Sequence, residues 1–147
     1  MTRLVGLDPG ETSGYFIADF DGETVDVQDY GVIPVCGNDR ASMLRDTEAW
    51  LIRHLMPDGS YEACFSEIVQ MPGRPTSHAA IEVQGICRLH GAVGYNPQTI
   101  HSQLGTKKKV DARAFVERVL GFKIRSGDHT TDAAAVAMCH AIKLGLW

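Results

Sequence analysis

Three acidic residues stand where a carboxylate could take part in chemistry: Asp8, Glu67 and Asp132. Asp8 and Glu67 each end a short segment that is typical of a buried strand, and Asp132 lies in the first turn of the last predicted helix. If the two strands are parallel neighbours, Asp8 and Glu67 lie side by side at one edge of the sheet. Carboxylates brought together repel one another and lose hydration, so such a cluster needs cations.

His129 precedes Asp132 by three residues, so both side chains project from one side of the same helix end. Carboxylate oxygens with one imidazole suit Mg²⁺ or Mn²⁺ better than zinc or copper. Two such ions about 4 Å apart can hold the attacking water and the leaving oxygen of a phosphodiester. The four residues therefore predict a site for metal-dependent phosphodiester hydrolysis.

Each of these residues also has an ordinary structural explanation. Asp8 could satisfy backbone N–H groups of the Pro9-Gly10 turn, and Asp132 could stabilise the positive end of the helix dipole. His129 could cap the helix or face solvent, and Glu67 could be a surface acid. We favour a metal site, because the structural explanation requires all four residues to occupy these positions by coincidence in a chain with this order of strands and helices.

The elements that must position these residues predict an α/β fold. Strands are expected over 3–7, 15–20, 24–33, 61–67 and, more briefly, around 99–100. The first three form an antiparallel meander with Asp21-Gly22 as a hairpin turn, and the fourth follows a helix, so that it pairs in parallel through a right-handed crossover. Helices are expected over 41–56, 77–92, 107–120 and 130–144, the last with Thr or Asp at its N-cap.

The helix predicted over Ser77–Ala92 carries apolar residues on two sides. Such a helix buries one face on its own sheet and a second face on a partner subunit. Deep burial within one domain is the alternative. The helix is therefore a candidate dimer contact.

The length and composition of the chain predict one domain over residues 1–147, long enough to bury a hydrophobic core. No apolar run approaches the roughly 20 residues of a membrane span, and the N-terminus does not resemble a secretory signal. The four cysteines are far apart and form no C-x-x-C motif, which argues against zinc and disulfides. We therefore expect a cytoplasmic protein.

Charge is divided unequally along the chain. Residues 1–67 carry 13 acidic side chains against 4 Lys or Arg, whereas residues 68–147 carry 5 against 10. A chain divided in this way can present one basic face to a polyanion, although its overall charge is −4. The alternative is that the charges interleave in space and cancel.

Three segments together resemble the signatures of RuvC-type resolvases, nucleases of the ribonuclease H-like superfamily that cut four-way (Holliday) DNA junctions. They are G-L-D-P-G-E-T-S-G-Y (6–15), the strand ending at Glu67, and H-T-T-D-A-A-A-V-A (129–137). The resemblance implies a five-stranded mixed sheet of order 3-2-1-4-5 flanked by helices, and a homodimer through the helix at 77–92. It also implies two Mg²⁺ ions, replaceable by Mn²⁺, at Asp8, Glu67, His129 and Asp132.

The same resemblance places Lys109 opposite the scissile phosphate, where an ammonium can neutralise charge in the transition state. The lysines at 107–109 could instead form a solvated helix start, and which of them faces the phosphate stays open. One departure concerns residues 68–72, which lack the aromatic wedge of some resolvases; Met71 could take its place. Candidates for phosphate contacts are Arg74, Arg88, Lys107, Lys108, Arg113, Lys123 and Arg125.

The sequence thus predicts a Mg²⁺-dependent endonuclease that resolves four-way DNA junctions. Products with 5′-phosphate and 3′-hydroxyl ends are expected if the chain follows the family. The alternatives are a nuclease of the same fold acting on other branched DNA or on RNA, and a non-catalytic junction-binding protein. A hexokinase-like or actin-like ATPase ranks last, because 147 residues provide no second lobe.

Overall fold

A computed structural model describes residues 1–55, 61–68, 72–73, 75 and 77–147. Its strands are β1 (Thr2–Asp8), β2 (Gly14–Phe20), β3 (Val25–Val32), β4 (Tyr61–Ser66) and β5 (Val93–Tyr95). Its helices are α1 (Arg40–Leu55), α2 (His78–Leu89), α3 (Pro97–Leu104), α4 (Lys109–Leu120) and α5 (Asp128–Lys143).

The five strands form one mixed sheet in the order β3-β2-β1-β4-β5. β1 pairs antiparallel with β2 and parallel with β4, and β2 pairs antiparallel with β3. The predicted fold class, meander and sheet order are confirmed. Because β1 is central, its apolar residues are buried on both faces, and its end brings Asp8 beside the end of β4.

Two hydrophobic clusters cover the two faces of the sheet. On one face, Leu4 and Phe16 pack with residues of α3, α4 and the alanine-rich α5. On the other, Val5 and Ile17 pack with residues of α1 and α2. The alternation along β1 thus separates the two layers, as expected for a strand with period two.

Helix α5 lies unusually close to β1 and β2 because both strands present glycine to it. A Cβ added at Gly6 would stand 2.8 Å from the Ala137 Cβ and closer still to the Ala133 carbonyl oxygen. A Cβ at Gly14 would stand 2.7 Å from the Thr130 nitrogen. Bare backbone at these two positions lets the first turns of α5 sit directly beside the end of β1.

The predicted strand around residues 99–100 is wrong. β5 is Val93–Tyr95, and the following residues form α3. The side chain of Asn96 accepts a hydrogen bond from the Thr99 N–H at 2.9 Å, and Pro97 occupies the first turn. An Asn cap followed by Pro is a helix start, so this pair initiates a helix rather than interrupting a strand.

The predicted N-cap of the last helix is also wrong. α5 begins at Asp128, two residues earlier than expected, and its N-cap is Gly127 with φ 103°. That conformation favours glycine, because other residues are strained there. Thr130 instead lies inside the helix, where its hydroxyl donates to the Gly31 carbonyl at 2.9 Å.

Three of the four cysteines, Cys64, Cys87 and Cys139, are buried, Cys36 is exposed, and all four are free thiols. Burial raises the pKa of the Cys87 thiol to about 12 and that of Cys139 to about 11. Among the described helices, none combines the length and the apolar character that a membrane crossing requires.

Candidate active site

The ends of β1 and β4 bring the first two acids together. Leu7 pairs with Phe65 in the parallel register, so that Asp8 and Ser66 come next to each other where the strands end. Glu67 follows directly, and its backbone N–H donates to the Tyr95 carbonyl at 2.8 Å, which holds the residue at the sheet edge.

The first turn of α5 supplies the other two predicted residues. Asp132 lines a cavity of about 250 Å³ together with Asp8 and Glu67, and His129 contacts Asp8. The sequence-predicted set Asp8, Glu67, His129 and Asp132 therefore meets at one edge of the sheet. The remaining wall of the cavity is formed by residues of the adjacent helices and by β4: Ser66, Pro97, Ile100, His101, Lys109, Ala112 and Ala135.

The carboxylate of Asp8 is held at both oxygens. The Ser66 hydroxyl donates to Oδ1 at 2.9 Å, and the His129 Nδ1 lies 2.8 Å from Oδ2. Only 18% of the Asp8 side chain is exposed. Burial raises the pKa of Asp8 above its usual value and the neighbouring Asp132 adds to the rise, while the bonds from His129 and Ser66 oppose it. An additional positive charge would therefore stabilise this carboxylate.

Asp132 is paired with two basic residues of α4. The Lys109 Nζ lies 2.7 Å from Asp132 Oδ2, and the Arg113 Nε lies 3.5 Å from Oδ1. Arg113 also approaches Asp128, with 3.3 Å between Nη1 and Oδ1. Of the three consecutive lysines, Lys109 is the one that lines the cavity.

Glu67 is paired with a residue of α2. The Arg88 Nη2 donates to Glu67 Oε1 at 3.0 Å, and the same guanidinium lies over the Phe65 ring, 4.9 Å from its centroid. Glu67 is thus paired with α2, whereas Asp8 contacts α5 and Asp132 pairs with α4.

These pairings decide how the residues fit a metal ion. Across the described ranges, no three carboxylate, imidazole or thiol side chains stand close enough together to hold an ion as they are. The chemistry of the donors nevertheless fits a hard divalent cation, because three carboxylates border a single cavity and the His129 imidazole contacts one of them, Asp8. Lys109, Arg113 and Arg88 pair with two of those carboxylates, so Asp132 and Glu67 would have to rearrange these contacts to hold an ion together with Asp8.

Of the seven predicted phosphate-binding residues, Arg88 is paired with Glu67, Lys123 and Arg125 are exposed between α4 and α5, and the other four fall into three groups. Lys107 and Lys108 are exposed at the start of α4. Arg113 is more enclosed, with 28% of its side chain exposed, and is directed at Asp128 and Asp132. Arg74 and the wedge candidate Met71 lie outside the described residues.

Sequence reasoning did not place Ser66 or His101 at the site. It named Arg88 as a candidate for phosphate contacts but not as the partner of Glu67. His101 lines the cavity, with its Nδ1 2.9 Å from the Thr106 hydroxyl. The strand expected around residues 99–100 gives no reason to place His101 at the site. Ser66 carries a detectable signal, since it directly precedes Glu67 and follows the β4 position that pairs with Leu7.

No family model matches the chain. The chain is 27% identical, over 94% of its length and 92% of the relative's, to the crossover junction endodeoxyribonuclease RuvC of Finegoldia magna. It is 28% identical to RuvC of Borrelia turicatae, over 94% of each chain. The predicted resemblance to RuvC-type resolvases is therefore confirmed over nearly the whole chain.

Solved structures support the same comparison at the level of the fold. RuvC of Thermus thermophilus superposes with a TM-score of 0.81 at 17% identity, covering 99% of this chain and 98% of the other. The same protein in complex with a Holliday junction substrate gives 0.83 at 18% identity, with 99% and 96% covered. The yeast mitochondrial Holliday junction resolvase Ydc2 gives 0.61 at 13%, covering 94% and 77%. The ribonuclease H-like fold is thereby confirmed.

Proposed function

We propose that this chain is a metal-dependent endonuclease that resolves four-way DNA junctions. It aligns with RuvC proteins over nearly its whole length and has the same fold. The observation that carries the proposal is the convergence of Asp8, Glu67, His129 and Asp132 at one sheet edge, from segments far apart in sequence. The relatives named as crossover junction endodeoxyribonucleases support the reaction class. The Thermus thermophilus complex supports the substrate.

The four residues are the proposed ligands of two Mg²⁺ ions, with Mn²⁺ as a substitute. When bound, such ions supply Lewis-acid stabilisation of charge on the phosphate and lower the pKa of a bound water. The contribution of the protein is to hold Asp8 in place through its two hydrogen bonds and to exclude bulk water from the partly buried carboxylate. Carboxylates that lie close together at a partly buried strand end lose hydration, and this loss is costly unless a cation compensates it.

Lys109 is the proposed cationic residue opposite the scissile phosphate. Its ammonium lies at the cavity wall, 2.7 Å from Asp132 Oδ2, and 65% of its side chain is exposed. If Asp132 held a metal ion, the Lys109 ammonium would be available at the cavity wall to neutralise negative charge on a phosphate oxygen. Only 16% of the Asp132 side chain is exposed, so this carboxylate is costly to leave without a positive partner and the exchange would keep one beside it.

The exposed Lys107 and Lys108, together with Arg74, are proposed to contact phosphates along the DNA arms. Such contacts set orientation and affinity rather than base preference. Arg113 is proposed to act closer to the site, since it is held between Asp128 and Asp132. Neutralising an exposed lysine should reduce the salt dependence of junction binding by about one unit of slope.

We also propose a homodimer through α2 (His78–Leu89), in the cytoplasm. Ala79 and Val83 of this helix face the core, while Ile81 and Leu89 are exposed, at 42% and 76%. A two-fold dimer would present two sites to a symmetric junction. Leu89→Glu should yield monomers in light scattering, whereas Leu144→Glu, at another exposed leucine, should not; an unchanged mass for Leu89→Glu would contradict the contact.

The test of the function is cleavage of a synthetic four-way junction in Mg²⁺. Asp8→Asn should abolish cleavage while junction binding in a gel-shift assay stays intact, because the amide keeps the shape of the side chain but lacks its charge. Asp26→Asn, at an exposed position of β3, serves as the matched control. Undiminished cutting by Asp8→Asn would refute the assignment, and ligation of the products tests for 5′-phosphate and 3′-hydroxyl ends.

One observation favours a broader nuclease as the second candidate. Residues 68–72 are Ile-Val-Gln-Met-Pro and contain no aromatic side chain that could wedge into a junction centre. Competition among four-way, three-way, flap and RNA substrates separates the two. A non-catalytic junction-binding protein would be favoured if calorimetry detected no Mg²⁺ or Mn²⁺ uptake even with DNA present.

A further inference from the structure

Ser66 contributes the neutral hydrogen-bond donor at the candidate active site. Among the described contacts, the carboxylates of Asp8, Glu67 and Asp132 receive Lys109, Arg113, Arg88 and His129, each of which is or can become a cation, and the hydroxyl of Ser66. An approaching divalent cation is repelled by the basic partners and must displace them. It does not need to displace a hydroxyl.

The geometry of the Ser66 contact is set by the backbone rather than by a flexible side chain. Ser66 ends β4 beside Asp8, as the Leu7–Phe65 register requires, and Ser66 also pairs with Tyr95 of β5. Its Oγ therefore reaches Asp8 Oδ1, at 2.9 Å, across only two short side chains. Without such a contact, an aspartate has a broad range of rotation about its last torsion.

A hydroxyl bonded to one oxygen leaves acceptor capacity on the carboxylate for a metal. An ionised carboxylate offers about four lone-pair sites, of which Ser66 uses one. His129, the other partner of Asp8, is itself a proposed metal ligand and is free to rearrange. Ser66 is then the contact that still fixes the plane of Asp8 when the ion arrives.

We infer that Ser66 is a positioning residue that orients the Asp8 carboxylate for divalent-metal binding. The inference rests on the proposed function, because it assumes that Asp8 is a ligand. Partners of metal ligands typically change metal affinity 10- to 100-fold when removed. Loss of the hydroxyl should therefore raise the metal concentration for half-maximal cleavage about 10- to 100-fold, an effect larger than that on the rate at saturating metal.

The experiment compares Ser66→Ala, Ser66→Thr and Ser126→Ala in the full-length chain. The threonine keeps a hydroxyl at position 66. Ser126→Ala is the matched control, because it also removes a 2.9 Å hydroxyl bond, from Ser126 to Thr130 near the start of α5, without touching a site carboxylate. Free Mn²⁺ is measured by electron paramagnetic resonance without DNA, and junction cleavage is titrated with Mg²⁺ and Mn²⁺ in parallel.

The inference predicts weaker Mn²⁺ binding and a right-shifted metal titration for Ser66→Ala, and curves like those of the wild type for Ser66→Thr and Ser126→Ala. Equal metal curves for the wild type and Ser66→Ala, with the wild type active, would overturn the role of Ser66 alone. Equal losses for Ser66→Ala and Ser66→Thr would do the same, since the hydroxyl would not matter. A wild-type chain that neither binds Mn²⁺ nor cuts would overturn the proposed function itself.

Discussion

Replacing Gly6 by alanine should separate α5 from β1 and disable the site. Gly6 lies in the middle of β1, where an added Cβ would stand 2.8 Å from the Ala137 Cβ and closer still to the Ala133 carbonyl. Ordinary van der Waals contact begins at 3.4 Å, so α5 would have to recede by about 0.6 Å at Ala137 and by more at Ala133. The backbone of α5 cannot step aside as a long side chain would.

Two magnitudes follow from this displacement. Overpacking a close-packed interior costs about 1–3 kcal/mol of folding free energy, and a backbone clash belongs at the upper end of that range. Ala133 directly follows Asp132, so any shift of α5 carries Asp132 away from Asp8. A misplacement on the order of 1 Å can cost about 100-fold in rate, so Gly6→Ala should lose activity out of proportion to its loss of stability.

The assay is urea unfolding at one protein concentration together with junction cleavage under conditions where the variant is fully folded. Gly85→Ala is the control for the stability measurement alone, because Gly85 is an exposed residue inside α2 with nothing within 4 Å of an added Cβ, whereas its place on the proposed dimer helix excludes it from the cleavage comparison. Alanine in a helix interior should stabilise by about 0.5–1 kcal/mol. A Gly6→Ala protein with wild-type stability and wild-type cleavage would refute the close approach of α5 as the device that builds the site.

Three further predictions concern charge. Lys109→Met should slow junction cleavage by roughly 10²- to 10³-fold, the cost of removing one transition-state donor, whereas Lys108→Met should not; equal rates for both would contradict the assignment of Lys109. Burial lowers the pKa of His140 below 6.5, so the unfolded chain binds a proton that the folded chain excludes, and the free energy of unfolding should fall as pH drops through 6.5. In His140→Gln, the free energy of unfolding should differ less between pH 5.5 and pH 7.5 than in the wild type. An equal difference in the two proteins would show that His140 does not cause the pH dependence. Arg3→Met removes the partner of the buried Asp19, bonded at 2.7 and 2.8 Å, and should cost about 1.5–3 kcal/mol in urea unfolding; a loss below 0.5 kcal/mol would place the pair among ordinary surface bridges.

The sheet was predictable because its signals are local. Leu4, Val5 and Leu7 are buried on both faces of β1, and the Asp-Pro-Gly turn ends that strand unambiguously. β5 was not predictable in the same way, because three residues carry almost no pattern of their own. Their strand conformation comes from pairing with β4, a contact that only the tertiary fold creates.

For the candidate site, too, the local signals were predictable and the tertiary contacts were not. Asp8 and Glu67 were expected to meet because both end strands, and parallel neighbours end at one edge. The partners of these acids were not expected, since they depend on how side chains from separate elements approach one another. Arg88 reaches Glu67 from 21 residues away and Ser66 reaches Asp8 from 58 residues away, and neither spacing leaves a trace in a linear motif.

The most direct test of the central claim is anomalous scattering from crystals of this protein soaked in Mn²⁺. The account predicts Mn²⁺ peaks in direct contact with carboxylate oxygens, bound by Asp8 and Asp132 together, with Lys109 moved off Asp132. A fully soaked crystal with no peak at this edge of the sheet, and with Lys109 still bound to Asp132, would contradict it.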